Sequence, residues 1–142
     1  MSILGSAVRA GASALAAERM RIEVAVSNLA NAESTRGPDG QPYKRRDVVL
    51  QTTTVQDFDD SLGRATAVGV EVAAVVEDQG PARRRFEPSH PDADKDGYVT
   101  LPNVDPAEEM VDMLGAARAY QANLTAIGLI RDTIQRALEL AK

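Results

Sequence analysis

Apolar residues recur at alternating steps of four and three positions near both ends of the chain, whereas the middle of the chain has no such period. This spacing places apolar side chains along one side of an α-helix. The sequence therefore predicts one long helix at each end, each with an apolar stripe. The stripe of the first helix consists of Leu4, Val8, Gly11, Leu15, Ile22, Ala25 and Leu29, interrupted by Glu18. The stripe of the second helix consists of Met110, Met113, Ala117, Tyr120, Leu124, Ile127, Ile134, Leu138 and Ala141, interrupted by Arg131.

The sequence also marks where the second helix begins. Asp105 suits the N-cap position, Pro106 suits the first helical position, and Glu108 follows three residues after the cap. Residues 36–42 contain two glycines and two prolines, which exclude a helix and end the first periodic segment. We therefore divide the chain into an N-terminal helix (1–30), a small β-rich domain with loops (31–104) and a C-terminal helix (105–142).

The middle of the chain is rich in β-branched residues, which are typical of strands. They predict strands at residues 43–51, 68–77, 83–87 and 98–101. We expect 68–77 at the centre of a small sheet, with 83–87 pairing beside it, and a loop at 52–67 that carries Asp57, Asp59 and Asp60. The predicted fold class is α+β, in which long N- and C-terminal helices form a coiled-coil-like bundle with a small central β-rich domain.

Composition narrows the classes of function. The chain has 142 residues, a net charge of -5, 4% aromatic residues, and neither cysteine nor tryptophan. The negative charge argues against binding to nucleic acid or anionic membranes. Because two long helices require most of the apolar residues, a deep substrate pocket is not expected. The absence of cysteine excludes disulfides and thiol chemistry. The sequence has no apolar run of transmembrane length, and its N-terminus lacks the pattern of a signal peptide.

One segment has the composition of a metal site. Residues 92–97, DADKDG, reproduce the first half of a calcium-binding loop, including the glycine at its sixth position. The second half differs, because Asn103 stands where a bidentate glutamate is needed and Pro88 and Pro91 stand where a helix should run. The pattern favours a tight turn before the strand at Tyr98. A calcium-binding module built on Asp92 and the two aspartates that follow it stays a minor alternative.

The sequence contains no pattern that requires catalysis. The single histidine, His90, lies between Ser89 and Pro91 and is interpreted as a loop residue. The chain has neither a Gly-x-Ser-x-Gly elbow nor a glycine motif that binds phosphate or dinucleotides. We therefore predict no enzyme activity, no catalytic residue, no cofactor, no metal and no small-molecule substrate. The basic triplets at 44–46 and 83–85 predict a solvated strand edge or a salt-bridging surface that faces an acidic partner.

The two stripes allow the helices either to pair within one chain as an antiparallel hairpin or to assemble with other subunits. Small residues let helix backbones approach closely on several faces, which favours a crowded bundle of subunits. We also expect the terminal helices to be poorly ordered in the free monomer and to fold on assembly, because each isolated stripe exposes apolar surface. The small residues concerned are Gly5, Ala7, Ala10, Gly11, Ala14, Ala16, Ala17, Ala116, Ala117, Ala119 and Ala122.

Several motifs, in the same order along the chain, resemble a known family, the axial proteins of the bacterial flagellum, which comprise rod, hook and hook-filament junction components. Residues 27–35, SNLANAEST, are similar to the Asn-rich motif that ends the family's first helix, and residues 117–123, ARAYQAN, are similar to its C-terminal helix. Residues 40–46, 88–99 and 102–113 resemble a proximal rod component. The chain lacks the large inserted domain of the longer relatives, and an aromatic residue does not directly follow the Thr-x-Gly at 35–37, which argues against a hook or distal rod component.

The resemblance implies a structural role, with the terminal helices forming the inner layer of a tube that transmits motor torque and the β-domain outside. It implies partners among the other rod proteins, the membrane-ring base, further copies of this chain and the flagellar type III export apparatus. The implied location is the basal-body rod across the periplasm, reached without a cleavable signal peptide. A cytoplasmic coiled-coil adaptor with the same stripes remains an alternative. The predicted assembly interface comprises Leu4, Val8, Leu15, Ile22, Asn28, Leu29, Asn31, Met110, Met113, Tyr120, Leu124, Ile127, Ile134 and Leu138.

Overall fold

The computed structural model describes residues 3–37, 40–55 and 67–140. The elements follow in the order α1 (Ile3–Asn31), β1 (Arg46–Val55), β2 (Ala67–Glu77), β3 (Arg83–Phe86), β4 (Tyr98–Leu101) and α2 (Pro106–Leu140). The predicted α+β class, with two long terminal helices, is confirmed. The predicted start of α2 is confirmed too, because the Ala107 amide donates to the Asp105 carboxylate at 2.8 Å. No helix in the described part of the chain is long and apolar enough to span a membrane.

The two helices pack against each other in antiparallel orientation. Gly11 near the start of α1 faces Ile127 in the second half of α2, and Asn28 near the end of α1 contacts Glu109 in the first turn of α2. Pairing within one chain, one of the two arrangements that the stripes allow, is therefore present. The buried apolar side chains of the two helices are small, namely Ala17, Ala25 and Ala116 among the described residues.

Gly11 permits the closest approach of the two helices. A Cβ atom at this position would lie 2.9 Å from Cγ1 of Ile127, whereas a Cβ at Gly128 on the exposed side of α2 would meet nothing within 4 Å. We expect Gly11→Val to lower the free energy of unfolding by about 2 kcal/mol, because the branched side chain overpacks the contact between the two helices. Gly128→Val is the matched control and should change it by less than about 0.5 kcal/mol. Urea denaturation followed by circular dichroism measures both, and equal effects would contradict the close packing.

Strands β1 and β2 form a long antiparallel hairpin that lies along α1. Their register runs from Arg46 opposite Glu77 to Val55 opposite Ala67, with an irregularity between Val49 and Leu50. The hairpin is held on the helix by the Val70 amide, which donates to Ser13 Oγ at 3.1 Å. The predicted first strand began and ended too early, because residues 52–55 belong to β1 and not to a loop. The remainder of the predicted loop, residues 56–66 with their aspartates, lies outside the described residues.

Strands β3 and β4 form a separate two-stranded antiparallel sheet, with Arg83 opposite Leu101 and Phe86 opposite Tyr98. The expectation that 83–87 pairs with 68–77 in one small sheet was therefore wrong. After β2 the chain turns at residues 78–81, where the Gly80 amide donates to the Asp78 carboxylate at 2.7 Å and Pro81 follows. This turn directs β3 away from β2. The second sheet contributes to a small apolar core of Val99, Leu101, Pro102 and Val104.

Candidate assembly interface

The predicted stripe of α2 divides between two surfaces. Every second member of the stripe faces α1 and is half-buried, whereas Met110, Leu124 and Leu138 are 45%, 41% and 63% exposed. The residues of α2 that face α1 follow a line that is rotated to one side of the predicted stripe. This line includes Ala116, which is buried and lies outside the stripe. The half-buried stripe members are Met113, Tyr120, Ile127 and Ile134.

On one side of α2, large apolar residues stay uncovered by α1, and this side is hereafter the open face of α2. Exposed apolar residues that share one side of an element mark sites of protein interaction when they form a large patch. The packing against α1 leaves the open face accessible along the whole helix. Its large apolar residues are Met110, Leu114, Leu124 and Leu138, all exposed, whereas the exposed Val111, Leu129 and Leu140 lie on another side of the helix.

The stripe of α1 is more covered, because α1 contacts both α2 and the β1–β2 hairpin. Its charged interruption, Glu18, pairs with Arg21 one turn further on at 3.1 Å. The interruption of the second stripe, Arg131, is exposed and forms no ion pair with Glu18 in the described part of the chain. The members Leu4, Val8, Leu15, Ile22 and Leu29 are all half-buried.

Asn28 is the centre of a buried polar cluster that joins α1, the start of β1 and α2. Its side chain is 1% exposed. Its amide nitrogen donates to the Arg46 carbonyl at 2.8 Å and to Glu109 Oε2 at 3.0 Å. Its amide oxygen accepts from the Tyr43 hydroxyl and from the Arg46 amide, both at 2.9 Å. Because an asparagine amide has two donor hydrogens and two acceptor lone pairs, every hydrogen-bonding position of Asn28 is used.

Glu109 brings a buried charge into this cluster. Its side chain is 2% exposed, and its second carboxylate oxygen accepts from Arg45 Nε at 2.6 Å. Arg45 also lies near Asp112, at 3.7 Å. Burial of Arg45 opposes its charge, but the hydrogen bond and attraction from Glu109 prevail and raise the pKa of Arg45 above its ordinary value. The cluster therefore contains a paired and hydrogen-bonded charge, the arrangement in which burial of a carboxylate is tolerated.

Asn31, the other asparagine of the predicted interface, has a local role. Its amide nitrogen donates to the Ser27 carbonyl one turn earlier in α1, at 2.8 Å, and its own carbonyl accepts from the Ser34 hydroxyl. Both contacts satisfy groups at the end of the helix. The predicted intersubunit roles of Asn28 and Asn31 stay predictions, whereas their contacts within the chain explain why the helix ends where it does.

Comparisons with known proteins match both helices. Residues 9–38 match a family model described as "Flagella basal body rod protein", and residues 95–140 match one described as "Flagellar basal body rod FlgEFG protein C-terminal". Flagellar basal-body rod protein FlgC of Salmonella typhimurium is 46% identical over 130 residues, covering 92% of each chain. FlgC of Yersinia enterocolitica is 42% identical over 142 residues, covering all of both chains, and FlgC of Bacillus subtilis is 39% identical over 140 residues, covering 92% of this chain and 93% of the relative. The chain belongs to the FlgC family.

Membership of the FlgC family confirms the resemblance drawn from the motifs and identifies the chain as a structural component of the flagellar basal-body rod. The relatives are named for a rod and not for a catalytic activity. The two segments that match the rod models contain Asn28 and Glu109, respectively. The buried polar cluster therefore joins the two parts of this FlgC-family chain that resemble other rod proteins.

The aspartate-rich segment of this FlgC-family chain forms the predicted tight turn. Asp94 Oδ1 accepts from the amides of Asp96 and Tyr98, both at 2.9 Å, and Oδ2 accepts from Arg84 at 2.6 Å. Gly97 completes the turn with a φ of 84°, and a Cβ there would lie 2.9 Å from the ring of Phe86. The neighbouring Asp92 faces Arg36 at 2.7 Å and not Asp94. His90 accepts from the Asp92 amide, as suits a loop residue.

The Asp94 contacts predict a dependence of stability on pH. The bond from the Tyr98 amide, together with those from Arg84 and the Asp96 amide, holds the pKa of Asp94 below its ordinary value. The stabilisation is therefore complete above the ordinary aspartate pKa and is lost as the pH falls through the lowered value. We expect Asp94→Asn to be less stable than wild type above about pH 5, with the difference shrinking below about pH 4. Urea denaturation across pH 2–7 measures this, with Asp96→Asn as control, and a difference independent of pH would contradict it.

The basic triplets of this FlgC-family chain form ion pairs and hydrogen bonds within the chain, whereas the acidic partner predicted for them stays a prediction. Arg85 pairs with Glu33 beyond the end of α1 at 2.7 Å, which links the second sheet to the first helix. Arg83 donates to the Pro102 carbonyl at 3.0 Å. In the first triplet, Arg45 pairs with Glu109 as described above. The triplets therefore connect elements within the chain.

Proposed function

We propose that this rod component assembles through its terminal helices into the axial tube of the flagellum, at its proximal end, and transmits motor torque through that tube. The observation that carries the proposal is the open face of α2, which remains accessible although α1 already covers another side of the helix. A helix that is apolar on two sides suits a layer in which it packs on its own chain and on a neighbouring subunit.

Torque transmission requires that each subunit resists sliding and rotation against its neighbours. An apolar face that runs along a helix of 35 residues distributes the load over many contacts. The polar cluster couples this helix to α1 and β1, so that a force on α2 is passed to the rest of the subunit. Because buried polar networks require specific geometry, the cluster supports a unique relative position of the two helices.

We infer partners among the other rod proteins, further copies of this chain and the membrane-ring base. We also infer delivery, unfolded, through the flagellar type III export apparatus to a rod that crosses the periplasm, without a cleavable signal peptide. Two features support passage in an unfolded state. The chain contains no cysteine, and the buried apolar side chains of the two helices are alanines among the described residues. A thin core of this kind gives a low free energy of unfolding, so that little work is needed before export.

Mass spectrometry of purified hook-basal-body complexes tests the proposal. The chain should be present at a constant ratio to known ring and hook components, and absent from complexes purified from a deletion strain. Recovery only in the soluble cytoplasmic fraction would contradict the proposal and favour a cytoplasmic coiled-coil adaptor.

A further inference from the structure

A groove of about 700 Å³ lies beside the end of α1 and the start of β1. Pro42 and Tyr43 line it together with Arg36, Lys44 and Arg46, while Glu77 is the one acidic residue among the described residues that line it. The groove thus combines an apolar and aromatic lining with an excess of positive charge. In a chain with a net charge of -5, this surface has the opposite sign to the whole and attracts acidic groups.

The cations of the groove are only partly neutralised within the chain. Arg36 pairs with Asp92 at 2.7 Å, but Lys44 is 3.9 Å from Glu77, with both side chains about half exposed. The guanidinium of Arg46 lies 5.6 Å from the centre of the Tyr43 ring and pairs with no carboxylate among the described residues. Exposed pairs at such distances contribute little, so the groove retains the capacity to bind carboxylates.

The opening turns of α2 present a surface with the complementary chemistry. Ala107, Glu108, Val111 and Asp112 line a shallow depression on the exposed side of the helix. Glu108 and Asp112 are one turn apart, so their carboxylates lie on the same side, and Val111 between them is 68% exposed. Two carboxylates beside an exposed aliphatic side chain match the weakly paired Lys44 and Arg46 beside a proline and a tyrosine.

We propose that the basic groove of one copy receives the opening turns of α2 from a second copy. The proposal rests on the proposed function, because it describes a lateral contact between neighbouring subunits of the rod. The two surfaces flank the polar cluster: Arg46 borders both the groove and the cluster, and Asp112 borders both the cluster and the acidic surface. Because the contact joins two different surfaces, it repeats around a ring or helix and does not close as a dimer.

Cysteine cross-linking in assembled basal bodies tests this contact, and the cysteine-free chain provides a clean background. Ser34 lines the groove, and Ser34→Cys leaves the cations of the groove intact. Ala107 lines the acidic surface, and Ala107→Cys leaves Glu108, Val111 and Asp112 intact. The two variants are produced together in one cell with different tags, so that a product with both tags joins two copies. The control pairs Ser34→Cys with Ala126→Cys, which is exposed far along α2.

We expect a disulfide-linked product with both tags from the Ser34 and Ala107 variants, at a yield at least tenfold above the control pair. Adding Lys44→Glu to the Ser34→Cys variant should reduce the yield of this product several-fold. Adding Glu108→Lys to the Ala107→Cys variant at the same time should restore the yield. If both variants are present in basal bodies but the product does not form, the contact is refuted while the rod function is still supported. A product that joins Ser34→Cys to another rod protein would also overturn it. Absence of both variants and of the wild-type chain from basal bodies would instead refute the proposed function.

Discussion

Replacing Leu124 and Leu138 together by aspartate is expected to reduce incorporation of the chain into basal bodies at least tenfold and to abolish motility. Both side chains lie on the open face of α2, where they are 41% and 63% exposed. In the free chain the new carboxylates remain in water, so the free energy of unfolding should fall by only about 1 kcal/mol for each substitution, through helix propensity and lost packing. In the rod they would be buried against a neighbour without a partner, which is strongly unfavourable. Quantitative mass spectrometry of basal bodies and urea denaturation of the purified chain measure the two effects.

The matched control for this pair is Thr133→Asp. Thr133 is exposed on the same helix and lies about two and a half turns from Leu124, hence on the opposite side. Its hydroxyl donates only to the Leu129 carbonyl of its own helix. This variant should be incorporated at nearly the wild-type level. Equal loss with Thr133→Asp, or normal incorporation of the double variant, would show that the open face of α2 does not carry the assembly.

The two helices were predictable because their signals are local. A period of four and three positions, the cap at Asp105 and the glycines and prolines at 36–42 each act within a few residues. The side of α2 that faces α1 was not predictable to the same accuracy. The stepping pattern contains Leu124 as well as Ile127, and only the partner helix decides that Ile127 is covered while Leu124 stays exposed. An apolar period specifies a helix, whereas its neighbours select the covered side.

The strands show where the predicted loop departs from local propensity. The run of three threonines at 52–54 was assigned to a loop, although threonine is β-branched and favours strands. In the hairpin these residues pair with Val70, Gly69 and Val68, so the partner strand determined the outcome. The pairing of β3 with β4, and not with β2, depends likewise on the turn at residues 78–81. Sheet partners are chosen over long separations, which a single sequence does not reveal.

The polar cluster was the least accessible part of the interface. Asn28 belongs to the Asn-rich motif, but Glu109 looks in the sequence like any acidic residue at the start of a helix, where the helix dipole favours it. The two side chains are 81 positions apart in the sequence and meet only because α1 and α2 are antiparallel. The apolar neighbours Met110 and Val111 give no local sign that Glu109 is buried, because both are exposed.

Replacing Asn28 by alanine is expected to lower the free energy of unfolding by about 3 kcal/mol. The substitution removes four hydrogen bonds and leaves the Arg46 backbone amide and one oxygen of the buried Glu109 carboxylate without a partner. Each unsatisfied buried group costs about 1 to 3 kcal/mol, so the expected loss follows from these two groups with partial relaxation. The unfolding midpoint in urea, monitored by circular dichroism, measures it. Because small domains are stable by only about 5 to 15 kcal/mol, the loss is a large fraction of the total.

Asn31→Ala is the control, since Asn31 is a half-buried asparagine in the same helix whose side chain donates only to the Ser27 carbonyl. It should cost less than about 1 kcal/mol.

Hydrogen exchange distinguishes the contribution of the polar cluster from that of the apolar contacts between the two helices. In the free wild-type chain, amides near the cluster should be more strongly protected than those at the start of α1 and the end of α2, because only the first set lies beside the buried polar network. In Asn28→Ala this difference should vanish. Equal costs for the two asparagines, or strong protection throughout α1 in the variant, would mean that the apolar seam alone holds the helices together.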